Sequence, residues 1–328
     1  MKSSEILEKL KNEAEQDKKS ASYLFYGDKR VDLLFYALEF SKIIMTLRID
    51  KNSEEYGSII KRIENFQYPD IEIINKENKN IKIDEVREII YSAIETAYNS
   101  PKKIFILSGI ENLRKESSNA LLKILEEPPK DVYFILLSRS LNIIPTIKSR
   151  TIKFHIESEN NEELGVDRDI YYFFDGNENN IKKWKEKSIP LKDYDKYVSN
   201  TENATKHIVE MKNYLNSKDS ENETENRETE KANELDLIIK YNKSTEYLAK
   251  KMKFCDLKEV YITVNEIEKE FRQEREKLTD VLGKIIINAK NSIDGDKLKK
   301  LINLKNSIRS NVNVRSILFN FFDLLQEA

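Results

Sequence analysis

The sequence predicts an α/β domain followed by an all-helical region, on three observations. Short β-branched or aromatic runs alternate with helical patterns through the first half. Those runs are almost continuously apolar, as strands are when a parallel sheet is covered on both faces. After residue 156 the strand signal fades and a helical period takes over.

The predicted strands are 22–26 (SYLFY), 71–74 (IEII), 103–107 (KIFIL), 132–137 (VYFILL) and 151–156 (TIKFHI). Helical patterns fall between them at about 30–48, 54–66, 83–98 and 116–127, with a shorter one near 143–149. Strands separated by helices imply a parallel five-stranded αβα sandwich with crossovers. In 116–127 Ser117 or Ser118 is placed to cap, and Ala120, Leu121, Ile124 and Leu125 make one apolar stripe. Pro128 and Pro129 stop that helix, since proline lacks an N–H and clashes with the preceding turn.

Residues 160–215 read as short helices, including DIYYFFDG and ATKHIVEMKNYLN. The stretch 216–233, NSKDSENETENRETEKAN, has no large apolar residue and reads as a solvated linker or an exposed helix extension. Residues 234–328 carry repeated helical periods, and a bundle buries them most simply. The expected division is therefore 1–157 (α/β), 158–215 (small helical domain), 216–233 (linker) and 234–328 (helical bundle).

Lys plus Arg number 56 and Asp plus Glu 58 among 328 residues, a net charge of -2. No global basic field draws this chain to nucleic acid. Arg139, Lys148, Arg150 and Lys153 read as a solvated face. One cysteine, Cys255, and two histidines, His155 and His207, exclude a disulfide framework and a multi-cysteine zinc site. The N-terminus is too charged for a signal peptide, and no run approaches about 18 apolar residues, so the expected address is the cytoplasm.

Gly27 follows the first strand and precedes a helix, where a phosphate-binding loop, G-x-x-x-x-G-K-[ST], would lie. The positions for the second glycine, the lysine and the hydroxyl hold Asp32, Leu33 and Leu34. Leu33 cannot reach a phosphate and Leu34 has no oxygen for Mg²⁺. A carboxylate at 32 would repel a phosphate charge ~4 Å away by roughly 4 kcal/mol at an effective dielectric near 20.

NALLKILEEPP, 119–129, resembles the clamp-loader subunits of bacterial DNA polymerase III, which belong to the AAA+ ATPase superfamily. YPDIEIINKENKNIKIDEVREII (68–90) is similar to the family's proline–aspartate segment, second strand and next helix. IIPTIKSRT (143–151) resembles its serine–arginine–cysteine motif, with Thr151 for the cysteine, and 306–325 resembles the closing helix of its oligomerising collar. The resemblance runs from about residue 20 to the end and is loosest between about 160 and 300. It implies an AAA+ domain, a helical lid and a helical collar.

The resemblance further implies that Ser108 and Gly109 stand where an active member carries its metal-binding Asp and water-positioning Glu. Glu111, two residues on, reads as a solvated cap. It implies that Arg150, with Ser149, is an arginine finger reaching ATP held by a neighbouring subunit. The zinc-binding cysteine cluster of many relatives has no counterpart in 45–68. The expectation is a subunit with no ATP, Mg²⁺ or zinc of its own and no hydrolysis in cis. It would act in a hetero-pentameric ring with gamma/tau and delta subunits, loading the sliding clamp onto primed DNA. The alternatives are an ATP-hydrolysing gamma/tau-like motor subunit with an atypical loop, or the clamp-opening delta subunit.

Overall fold

Side chains alternate across a strand, so the apolar central strands of this chain feed two cores at once. The computed structural model describes residues 3–75, 81, 83–95, 97–140, 143–218, 227–310 and 313–326. The chain divides into two compact units, 1–182 and 183–328.

The first unit runs α1 (Ser3–Ala14), β1 (Ala21–Tyr26), α2 (Leu33–Thr46), α3 (Glu54–Glu64), β2 (Ile71–Ile74), α4 (Ile83–Ile94), β3 (Lys103–Leu107), α5 (Lys115–Glu126), β4 (Val132–Ser138), α6 (Pro145–Ser149), β5 (Ile152–His155) and α7 (Arg168–Phe173). The described strands form one parallel sheet in the order β2-β3-β4-β1-β5. Tyr23 and Phe25 of β1, Ile104 and Ile106 of β3, and Tyr133, Ile135 and Leu137 of β4 share a core with α1, α2 and α3. Their alternates Leu24, Phe105, Leu107, Phe134 and Leu136 share the opposite core with α4, α5 and α6. The five strands and the doubly covered sheet are as the sequence predicts.

Three local differences have physical reasons. Helix α1 is additional: Ile6, Leu10 and Ala14, four apart, bury one stripe in an otherwise charged segment. Ser117 and Ser118 do not cap α5, which starts two residues earlier. Both are buried, and the Ser117 hydroxyl donates to the Ile81 carbonyl at 3.1 Å. Asp70, of the YPD segment, is fully buried and accepts from the backbone N–H groups of Tyr98, Asn99 (2.7 Å) and Ser100 (2.9 Å), tying down the approach to β3.

The second unit contains α9 (Thr201–Lys218), α10 (Arg227–Lys251), α11 (Leu257–Phe271), α12 (Arg275–Ala289), α13 (Gly295–Ser307) and α14 (Val314–Gln326). The unit boundary falls inside α8 (Glu178–Lys187). Of the expected linker, 216–218 finish α9, 227–233 begin α10, and 219–226 lie outside the described residues. Residues 158–215, expected as a domain of their own, are shared between the units. Ala204 and Ile208 of α9 are buried in one core with Leu248, Val264, Leu282, Leu301, Leu318 and Phe322.

His207 lies in that unit with Nδ1 3.3 Å from the Ser244 hydroxyl. Burial holds its pKa below the usual 6.5. The unfolded chain then takes up a proton that the folded chain refuses. This contribution is present above 6.5 and is lost as pH falls through the lower folded value. Thermal unfolding of the bundle is expected at a lower midpoint near pH ~5.5 than near pH ~7.5, and His207→Gln should flatten that difference. Equal pH slopes in the two proteins would exclude His207 as the cause.

Candidate functional site: a self-filled phosphate loop and a separate arginine

The register sets Tyr26 of β1 beside Ser138 of β4 and His155 of β5. The segments after β1, β4 and β5 therefore leave the sheet together, with the turn after β3 nearby. β1 lies between β4 and β5, while the chain leaving it crosses to the far edge at β2. This switch point is where open α/β sheets bind their ligands. Gly27 is packed so closely that an added Cβ would lie 2.5 Å from the Ile156 carbonyl oxygen.

The loop from Gly27 to Asp32 is built unlike a phosphate cradle, which aims backbone N–H groups inward. Two of its carbonyls, those of Asp28 (3.0 Å) and Val31, accept from Nη1 of Arg139, the residue after β4. A protein cation is thus held on acceptors where a phosphate would need donors. Burial lowers the Arg139 pKa, against the raising effects of Asp32, Glu111 and Asp28. Glu111 is not a solvated cap: its Oε1 accepts the Arg139 backbone N–H at 3.0 Å and its Oε2 is buried. Arg139 likewise does not belong to a solvated basic face.

Asp32 takes up the helix end that would serve an anion. It is the N-cap of α2, and its carboxylate accepts the Phe35 N–H at 3.0 Å. Leu33 is 1% exposed in the sheet core, and Leu34 packs against the same core. Ser108 is buried, and its N–H donates to Ile74 O at 3.2 Å. Gly109 has φ 73°, left-handed backbone that glycine adopts freely, and opens the short turn that carries Glu111.

A second arginine closes the loop from outside. Arg30 pairs with Asp28 (Nη2 to Oδ2, 2.5 Å) and donates from Nη1 to the Tyr171 hydroxyl of α7 at 3.1 Å. The Ser158 hydroxyl donates to Asp28 Oδ2 at 3.1 Å. Burial works to raise the Asp28 pKa. The Arg30 hydrogen bonds and charge, with Ser158, outweigh it and hold the carboxyl below the usual range. The donors, acceptors and charges of this loop do not fit a nucleotide triphosphate. Among the described residues, no group of three or more His, Cys, Asp or Glu is arranged to hold a metal, and no helix is long and apolar enough to cross a membrane.

Arg150 is elsewhere. It ends α6 just before β5, whose first residue Ile152 is level with Tyr23. The loop leaves β1 beyond Tyr26, so Arg150 and the loop lie at opposite ends of these two neighbouring strands. Arg150 Nε and Nη2 each lie 3.1 Å from Glu126 Oε2. Its Nη1 donates to Thr146 O (3.3 Å) and the Ser149 hydroxyl (3.4 Å). Thr151 is buried, its hydroxyl donating to Ile147 O at 2.9 Å. Ser149 is exposed.

Sequence reasoning missed Arg139, Asp28, Arg30 and Glu126 as parts of these sites. The LEEPP wording that carries Glu126 was the available signal.

The sheet order and the loop at its switch point define an αβα domain of P-loop-type topology, followed in the chain by a helical unit. Residues 2–160 match the family described as "DNA polymerase III, delta subunit". The chain is similar to DNA polymerase III subunit delta' of Bacillus subtilis, 29% identical over 169 residues, 50% of this chain and 51% of that protein. It is similar to the delta' subunit of Haemophilus influenzae, 32% identical over 134 residues, 40% of each chain. The gamma/tau subunit of Mycoplasma genitalium is 32% identical over 150 residues, 44% of this chain and 24% of that one. A Thermotoga maritima DNA polymerase III gamma subunit-related protein shares the fold, with a TM-score of 0.67 over 98% of both chains at 17% identity. Residues 2–160 are thus similar to DNA polymerase III subunits of the delta and delta-prime type. The matches span about half or less of the length of these curated relatives.

Proposed function

We propose that this chain is a non-hydrolysing clamp-loader subunit, the delta-prime stator of a DNA polymerase III holoenzyme. In this reading it binds no ATP, Mg²⁺ or zinc and is not an enzyme alone. It sits in the cytoplasm in a ring of five with gamma/tau and delta subunits. The ring loads the sliding clamp onto primed DNA with ATP held by the motor subunits. This chain gives Arg150 to a neighbour's ATP.

The observation that carries the reading is Leu33, a core side chain at the position of the phosphate-binding lysine. Phosphoryl transfer rests on charge neutralisation and positioning, and this loop supplies neither. Arg150 supports the second half of the reading. It lies at the end of the strands away from its own loop, and its planar fork stays charged and can bond two oxygens.

The isolated full chain is expected to give no titration heat with ATP and Mg²⁺, and no phosphate release. Leu33→Lys should not restore binding and should cost several kcal/mol, because it buries a charge in the sheet core. Saturable ATP binding by the parent chain would instead favour a gamma/tau-like motor subunit. The finger is tested by Arg150→Ala in the reconstituted complex.

A further inference from the structure

We infer that Glu126 is a positioning residue for Arg150, an inference that rests on the finger reading above. Glu126 is the last residue of α5. The chain cannot extend the helix beyond the two prolines, so the Glu126 side chain projects from a fixed helix end. A carboxylate in a last helical turn is disfavoured by the macrodipole. Its acid therefore runs against local preference, and the partner it meets is Arg150.

The contact is one-sided in a useful way. Glu126 engages Nε and Nη2, one edge of the guanidinium. Thr146 O and the Ser149 hydroxyl take Nη1 from the side of α6. A guanidinium has five N–H donors, and two of them point outward along its Nη1–Nη2 end. The two Nη1 contacts are long, 3.3 and 3.4 Å, so a terminal phosphate can displace them and take the Nη1–Nη2 end with both oxygens while Glu126 keeps the Nε edge. The pair is weak enough to adjust: the Arg150 side chain is 29% exposed and that of Glu126 59%. Pairs of that kind bias a rotamer without locking it. Glu126 thus lowers the ordering cost of a long side chain before the neighbour's phosphate arrives.

The test uses the clamp-loader complex reconstituted from this chain and its gamma/tau and delta subunits. Clamp- and DNA-stimulated ATP turnover is compared for the parent, Arg150→Ala, Glu126→Gln, Glu126→Asp and the double variant Arg150→Ala with Glu126→Gln. Glu126→Gln is expected to lower kcat at the affected site by roughly fivefold, the rate equivalent of about 1 kcal/mol, with KM for ATP unchanged. Glu126→Asp should recover part of the loss. The double variant should be no slower than Arg150→Ala alone, because the carboxylate acts through the arginine. If Arg150→Ala slows turnover but Glu126→Gln does not, the positioning role is wrong and the finger stands. A faster Glu126→Gln complex would make Glu126 a restraint and overturn the inference. If neither variant changes turnover, the finger reading fails and takes this inference with it.

Discussion

Arg150→Ala is expected to slow hydrolysis at the ATP site it serves by roughly 10³-fold or more, the scale of arginine fingers supplied in trans. Alanine removes a planar cation whose proposed role is to meet charge that develops on the transferred phosphoryl group. The fold has little else to lose. Arg150 is tied to its own turn and to Glu126, both near the surface, and Thr151 rather than Arg150 supplies the burial at this point. The mutant chain should therefore fold and assemble normally. Other sites in the ring keep their arginines, so the bulk rate falls only by the share of one site. Single-turnover measurement resolves that fraction, and clamp loading on primed DNA should fall with it. Arg150→Lys should recover little, because a point charge does not reproduce the fork. An assembled Arg150→Ala complex with full turnover and full loading would leave a purely structural subunit.

Asp70→Ala should be the most damaging single change to the fold, by roughly 3–5 kcal/mol. The carboxylate is 1% exposed and gathers three successive backbone N–H groups, those of Tyr98, Asn99 and Ser100. Its own carbonyl also accepts from Ile104 N at 2.9 Å, inside β3. Alanine would strip the acceptors from the turn that feeds β3 while leaving the donors in place. Asp70→Asn offers one acceptor oxygen and should recover less than half of the loss. Urea unfolding followed by circular dichroism reads the change. A midpoint shift worth less than about 1 kcal/mol would mean that water replaces the carboxylate without strain.

Much of this architecture was legible because local signals agreed. Strands such as KIFIL and VYFILL are apolar on both sides of the pleat, and Pro128 and Pro129 end α5 in one place only. Leu33 and Leu34 were legible as departures from a phosphate loop, since the positions of that loop are fixed by spacing. The side chains that fill the loop were not legible. Arg139 contacts carbonyls 111 and 108 positions earlier, and Arg30 reaches Tyr171 across 141 positions. Side chains that far apart meet only after the sheet has set its register. Glu111 was read as solvated because sequence cannot show that the N–H after β4 ends beside it. The boundary inside α8 had no composition break to mark it, since the helix runs through it with polar residues on both sides.

The arginine inside the loop also bears on how the domain responds to the cell's energy supply. A nucleotide-dependent fold is held by a ligand whose contribution grows with concentration, by about 2.7 kcal/mol at a hundredfold excess over Kd. Such a fold loosens when ATP runs short. Here the group that closes the loop is covalently part of the chain, so its effective concentration is set by the fold rather than by metabolism. Starvation does not dilute Arg139. In the proposed stator role, a subunit wired this way would keep one shape through every nucleotide state of its neighbours, a fixed reference for parts that move.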